Sequence, residues 1–259
     1  MKRSQGARTC ALAVGGALSL ALITGCSDGS STDAPGTARK ASAVKALSAA
    51  QLKQRILARG EVDGYKVNAI GEAATRSTVR SSDDRCRPLA YVLTGLAPAD
   101  PASEIGRTVR EDKKDPTDDA TSLDAMADGR FESALKDSLN LDITSLDLSS
   151  YDGDGARQAL RALSAALQNC TTGFTGGTSD DEQKVTEVTP AKASGSGDES
   201  IAFTATTDMD GDKGPLHAEV VRYGNTVATY FTMNIGAMMT GKTYTVPPAV
   251  IKAQSAKLK

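Results

Sequence analysis

Tryptophan is absent from this 259-residue chain, histidine occurs once, and four Phe and six Tyr are its only aromatics. A core must therefore rest on Leu, Val, Ile and Ala. One histidine, His217, cannot assemble a zinc centre with so few cysteines. Nor does a Gly-x-Ser-x-Gly elbow accompany it, so a triad hydrolase lacks its usual signature, and His217 reads as an exposed histidine on a strand shared with Glu219, Val221 and Tyr223. No catalytic set emerges from these residues, and the chain is expected not to be an enzyme. There is also no apolar run approaching the roughly 20 residues that span a bilayer.

What the sequence has instead begins at its first residues. Lys2, Arg3 and Arg8 form a positive start, Ala11 to Ile23 an apolar stretch, and Leu22-Ile23-Thr24-Gly25-Cys26 ends it. That arrangement reads as an export signal, and its last five residues resemble a bacterial lipobox. The resemblance implies that residues 1–25 are removed and that Cys26 carries a diacylglyceryl group and a further acyl chain such as palmitate. Two or more chains anchor stably where one does not. The expected location is the outer face of the cell membrane.

With Lys2, Arg3 and Arg8 gone, 27 basic residues face 32 acidic ones, a formal charge of −5. This argues against nucleic acid as a partner. Cys10 leaves with the signal and Cys26 is committed to lipid. Cys86 and Cys170 remain, and in an oxidising compartment they read as one disulfide. Closing so long a loop stabilises by roughly 4 kcal/mol on the chain-entropy model.

Residues 26–46 are the lipidated start and a disordered spacer rich in Ser, Thr, Asp, Gly and Pro, and residues 47–259 are expected to form one domain. Ser48 can cap a helix carrying Leu52 and Ile56, with Gly60 placed to end it. Tyr65, Val67 and Ala69 suggest a strand. Pro88 suits a first helical turn with Leu89, Val92 and Leu93 on one side, and Glu104 to Arg110 reads as a strand. Phe131, Leu135 and Leu139 suggest a helix, and Leu146 and Leu148 alternate in a strand with Asp147 on its polar side.

The clearest helix follows, with Asp152 or Asp154 as cap and Leu160, Leu163, Leu167 and Cys170 in one stripe. Gly173 to Asp181 reads as a loop. Beyond it the period changes to two: Ile201, Phe203 and Ala205; then Leu216, Ala218 and Val220; then Val227, Thr229, Phe231, Met233 and Ile235. Turns at Asp210-Gly211 and Gly224-Asn225 make this an antiparallel meander. Pro247-Pro248 opens a last helix with Val250, Ile251 and Leu258. The fold class is therefore α+β, a central antiparallel sheet packed by several helices.

Two motifs invite function and are read against it. Gly236 to Thr243 satisfies the phosphate-loop pattern Gly-x4-Gly-Lys-Thr, but Pro247 and Pro248 stand where the required helix would run. No nucleotide is expected. Asp208, Asp210, Asp212 and Glu219 match calcium-loop positions one, three, five and twelve, yet the sixth holds Lys213 where Gly belongs. A hairpin turn is the preferred reading and a weak calcium site the open alternative. No metal or other cofactor is otherwise implied.

Four stretches carry a wider resemblance: Leu47-Ser-Ala-Ala-Gln-Leu52, Cys86-Arg-Pro-Leu89, Ser149-Ser-Tyr-Asp-Gly-Asp-Gly155 continuing to Cys170, and Ile201-Ala-Phe-Thr-Ala-Thr206. In these and in element order the chain resembles actinobacterial lipoproteins and, more distantly, the extracellular sensor domain of PknH-type mycobacterial kinases. The resemblance implies an α+β domain with a ligand-binding cleft. Those kinase sensors carry two disulfides where this mature chain can form one, and no kinase domain is present. The expected function is a membrane-anchored, non-catalytic ligand-binding or sensor domain of the cell envelope. The alternatives are an accessory protein docking another envelope protein, and a hydrolase using paired carboxylates.

Overall fold

Short-range chemistry starts the first helix and a distant side chain ends it. In the computed structural model, which describes residues 44–70, 75–113, 131, 138–209 and 212–259, α1 spans Ala49–Arg55. The Ser48 hydroxyl accepts from the Gln51 N–H and the Gln51 side chain accepts from the Ser48 N–H, a reciprocal capping box. The helix stops at an extended Ile56, four residues before the expected Gly60. Gln254 explains the early end: its carbonyl oxygen accepts the Leu57 N–H at 2.9 Å and its amide donates to the Arg55 C=O at 2.8 Å. Backbone groups freed by the break are thereby satisfied. Gly60 serves in the following turn, at φ +82°.

Strand β1 (Tyr65–Ala69), strand β2 (Val79–Ser81) and helix α2 (Arg87–Leu93, Pro88 in its first turn) come next. Strands β3 (Ser103–Glu111) and β4 (Ile143–Ser150) lead to helix α3 (Gly155–Asn169). Strands β5 (Phe174–Thr178), β6 (Asp181–Ala191), β7 (Glu199–Met209), β8 (Asp212–Tyr223) and β9 (Thr226–Met233) follow. Helices α4 (Ile235–Thr240) and α5 (Pro248–Ala256) close the chain. The strands form one nine-stranded antiparallel sheet in the order β1-β3-β4-β9-β8-β7-β6-β5-β2.

The α+β architecture and the β7–β8–β9 meander agree with the sequence. Gly224 takes the left-handed conformation of the two-residue β8–β9 turn, φ +60°, between the paired Tyr223 and Thr226. Three local expectations need correction. Five of the residues assigned to a loop at Gly173–Asp181 are β5, which pairs with both β6 and β2. Two glycines hide it: a Cβ on Gly176 would lie 2.8 Å from the Phe174 ring, and one on Gly177 would lie 2.2 Å from the Asp181 carbonyl oxygen. Ile235 starts α4 instead of ending β9. Neither Asp152 nor Asp154 caps α3 through its side chain: Asp152 accepts from the Ala46 N–H, Asp154 from the Gln158 amide. The expected helix of Phe131, Leu135 and Leu139 falls largely outside the described residues.

Each face of the sheet carries its own core. On one, α2 and α3 bring Leu89, Val92, Leu160 and Leu163 against Phe203, Leu216 and Val220. On the other, Leu52, Ile56, Val250 and Ile251 cover Leu146, Leu148, Ala228 and Tyr230. The sheet is thus covered on both sides, and β9 is buried along nearly its whole length. A disulfide joins Cys86, at the start of α2, to Cys170, at the end of α3, with Cα atoms 5.9 Å apart.

Candidate ligand-binding cavity

A recess on the α2 face of the sheet has a volume of about 500 Å³. Helix α2 and the residue after it contribute Ala90, Leu93 and Thr94; β4 and β9 contribute Ser145, Phe231 and Met233. Opposite them stand Phe174, Gly176 and Gly177 of β5 with Gln183 and Val185 of β6. Thr75 and Thr78 line it beside Thr178, Asp180 and Asp181 at the β5–β6 turn. In sheet order β9 and β6 are separated by β7 and β8, roughly 14 Å if flat; one recess touching both reflects the coil of a twisted sheet.

Its polar groups divide into spent and unspent. Thr94 donates its hydroxyl to the Ala90 and Tyr91 carbonyls, and Thr78 to the Thr75 carbonyl. The side chains of Ser145, Thr178, Gln183, Asp180 and Asp181 engage no partner among the described residues. Beneath them Phe174, Val185 and Phe231 are buried. An apolar floor under a few uncommitted polar groups is the chemistry of a small-molecule site.

The Thr75–Thr78 wall is held by Arg76, which lies between them. Its guanidinium donates to the Ala97 carbonyl and the Glu104 carboxylate, each at 2.9 Å, and sits 4.9 Å from the centre of the Tyr91 ring. Its buried Nε has no partner among the described residues. Nearby, Asp147 is only 3% exposed. Burial pushes its carboxyl up to about 8, the Ser149 hydroxyl donated to it opposes that rise, Glu104 adds to it and Arg76 works against it. At neutral pH Asp147 is therefore mainly a carboxylic acid. Thr229, its cross-strand partner, has a buried hydroxyl without a hydrogen-bond partner among the described residues.

His217 and Glu219 lie on the opposite face, beside a recess of about 190 Å³ with Val246, Pro248 and Ile251. His217 is half-buried rather than exposed. Its Nδ1 is 3.1 Å from the Thr204 hydroxyl, and its ring meets Tyr244 edge-on at 4.5 Å. Burial holds it below its usual range, with Asp142 pulling the other way. The Ser194 hydroxyl and N–H both donate to Glu219, so this serine is directed to the carboxylate and not to the histidine.

The remaining motif residues find ordinary places. In the phosphate-loop lookalike the helix precedes Lys242-Thr243: α4 is capped by Asn234 and ends at Gly241, φ +67°. Gly236 is required because a Cβ there would lie 2.5 Å from the Asn140 nitrogen. Asp208 pairs across the hairpin with Lys213 and lies 3.6 Å from the Lys184 ammonium. Glu219 stands six positions beyond Lys213 along β8, about 20 Å away. Among the described residues no three ligating side chains gather for a metal. Asp210 and Cys26 lie outside the described residues.

Sequence reasoning finds Cys86 and Cys170 but not the cavity. The signals available to it are the adjacent Gly176 and Gly177, and an Asp147 set between two leucines destined for the core.

No family model matches the chain, and neither does any curated protein. Among solved structures it is similar to the extracellular domain of PknH from Mycobacterium tuberculosis. The identity is 12%, the match covers 83% of this chain and 95% of that one, and the TM-score is 0.45.

Proposed function

We propose that this chain is a lipid-anchored domain outside the cytoplasmic membrane that binds a small ligand, without catalysis, in the cavity between α2 and β5–β6. The observation that carries the reading is the recess of about 500 Å³, where Ser145, Thr178 and Gln183, without partners among the described residues, overlie Phe174, Val185 and Phe231. Cys26 within its lipobox-like sequence supports the anchor, and the Cys86–Cys170 disulfide suits an oxidising compartment.

Native mass spectrometry of protein purified from its own host tests the binding. A retained small molecule in the wild type, lost from Gln183→Trp, is expected; identical spectra would overturn it. Membrane fractionation of Cys26→Ser tests the anchor, since the variant should leave the membrane fraction.

Docking of another envelope protein is the second reading. It draws on Ile235 and Met239, one turn apart on α4 and both exposed, at 45% and 64%. Replacing both with Ser would abolish a co-purifying partner under that reading and leave ligand retention intact.

A further inference from the structure

We propose that the cavity selects amphipathic cations, ligands with an apolar body and a protonated amine, over anions such as phosphates and carboxylates. This rests on the ligand-binding reading above and adds the chemical class of the ligand. The cavity makes the site; its rim sets the charge.

Two carboxylates, Asp180 and Asp181, line the mouth at the β5–β6 turn, and neither has an ion-pair partner among the described residues. Among the described residues no Lys, Arg or His lines the cavity. The cations nearest in sequence are withdrawn. Lys184, between the lining residues Gln183 and Val185, points to the other face by strand alternation and meets Asp208 at 3.6 Å. Arg76, between Thr75 and Thr78, spends its guanidinium on Ala97, Glu104 and the Tyr91 ring.

Among the described residues, an anion entering here would meet two carboxylates without ion-pair partners and no lining cation. An ammonium would meet both carboxylates while its apolar body covers Phe174, Phe231 and Val185. Ser145 and Gln183 offer oxygen acceptors to further N–H or O–H groups of the ligand. The volume of about 500 Å³ falls in the range that encloses a drug-sized molecule.

Fluorescence titration of the purified full-length chain with two dansyl probes tests this. Dansylcadaverine ends in an ammonium, and dansyl-6-aminohexanoate carries a carboxylate on a similar chain. Gln183→Trp, with fold checked by circular dichroism, is the blocked control; Thr178→Trp replaces it if it fails to fold. The ammonium probe should bind about tenfold more tightly than the carboxylate probe, a preference reduced by salt because the rim is exposed. Asp180→Asn with Asp181→Asn should bring the two within about threefold.

If the carboxylate probe binds as well or better and the blocked control loses it, the charge class is wrong and the cavity reading stands. A preference that survives the double Asp→Asn variant overturns the role of the rim. If both probes bind wild type and blocked protein alike, the cavity reading falls with the class.

Discussion

Replacing Asp147 with asparagine should make the protein more stable, and only above acidic pH. The folded carboxyl titrates at about 8 against an ordinary 3.8 because burial opposes its charge. A carboxyl whose folded pKa is raised binds its proton more tightly in the folded state. Its contribution is complete below about pH 4, drains away as pH climbs towards 8, and is gone above that. At about 1.4 kcal/mol per pH unit, about four units of pH correspond to about 5 kcal/mol lost by about pH 9.

The asparagine side chain would have no proton to lose and would retain an oxygen for the Ser149 hydroxyl. Urea unfolding of both proteins from about pH 4 to about pH 9 gives the difference directly, and the titrations of His217 and the tyrosines cancel in it. Near pH 4 the difference should be close to zero. At about pH 8.5 the Asp147→Asn variant should lead by about 5 kcal/mol, equivalent to roughly 10–15 °C in Tm for a domain of this size. Parallel stability curves across that range would refute a buried, protonated Asp147.

Other perturbations have equally definite outcomes. Gln254→Leu leaves the Leu57 N–H and the Arg55 carbonyl without their bridge; equilibrium unfolding should show a loss of about 2–4 kcal/mol. Cys86→Ser with Cys170→Ser removes a crosslink closing an 84-residue separation, and the chain-entropy model gives a loss of about 4.5 kcal/mol in the same assay. His217, whose charged form is disfavoured by burial, should titrate below its usual range in proton NMR. Its depressed folded pKa contributes stability that is present above about pH 6.5 and lost as pH falls, so His217→Gln should flatten that acid limb.

The parts of the fold legible in the sequence are those in which sequence neighbours decide the outcome. In α3 the stripe Leu160, Leu163, Leu167 and Cys170 is a helical period, and β7–β9 alternate around short turns. The meander is legible for the same reason, since each strand pairs with the next. Strand β5 escapes such a reading because Gly176 and Gly177 carry no β preference of their own and owe their extended state to partners on both sides. The end of α1 escapes it because Gln254, nearly 200 residues away, decides it. In sequence Asp147 has the look of the polar half of a strand open to water, and only packing of helices on both faces makes it buried. The cavity draws on segments from Thr75 to Met233, and no local window contains their meeting.

The crosslinked cysteine also turns α2 into a lever. Its fulcrum is Cys86, tied to α3, while Leu93 and Thr94 lie at the tip against the cavity. Seven residues give an arm of about 10 Å, so a tilt of about 10° carries Leu93 less than about 2 Å. The Gly176-Gly177 wall across from it is no freer to move, since β5 is paired on both sides and its glycines already lie against Phe174 and Asp181, so under the proposed reading the resting volume itself sets the size limit.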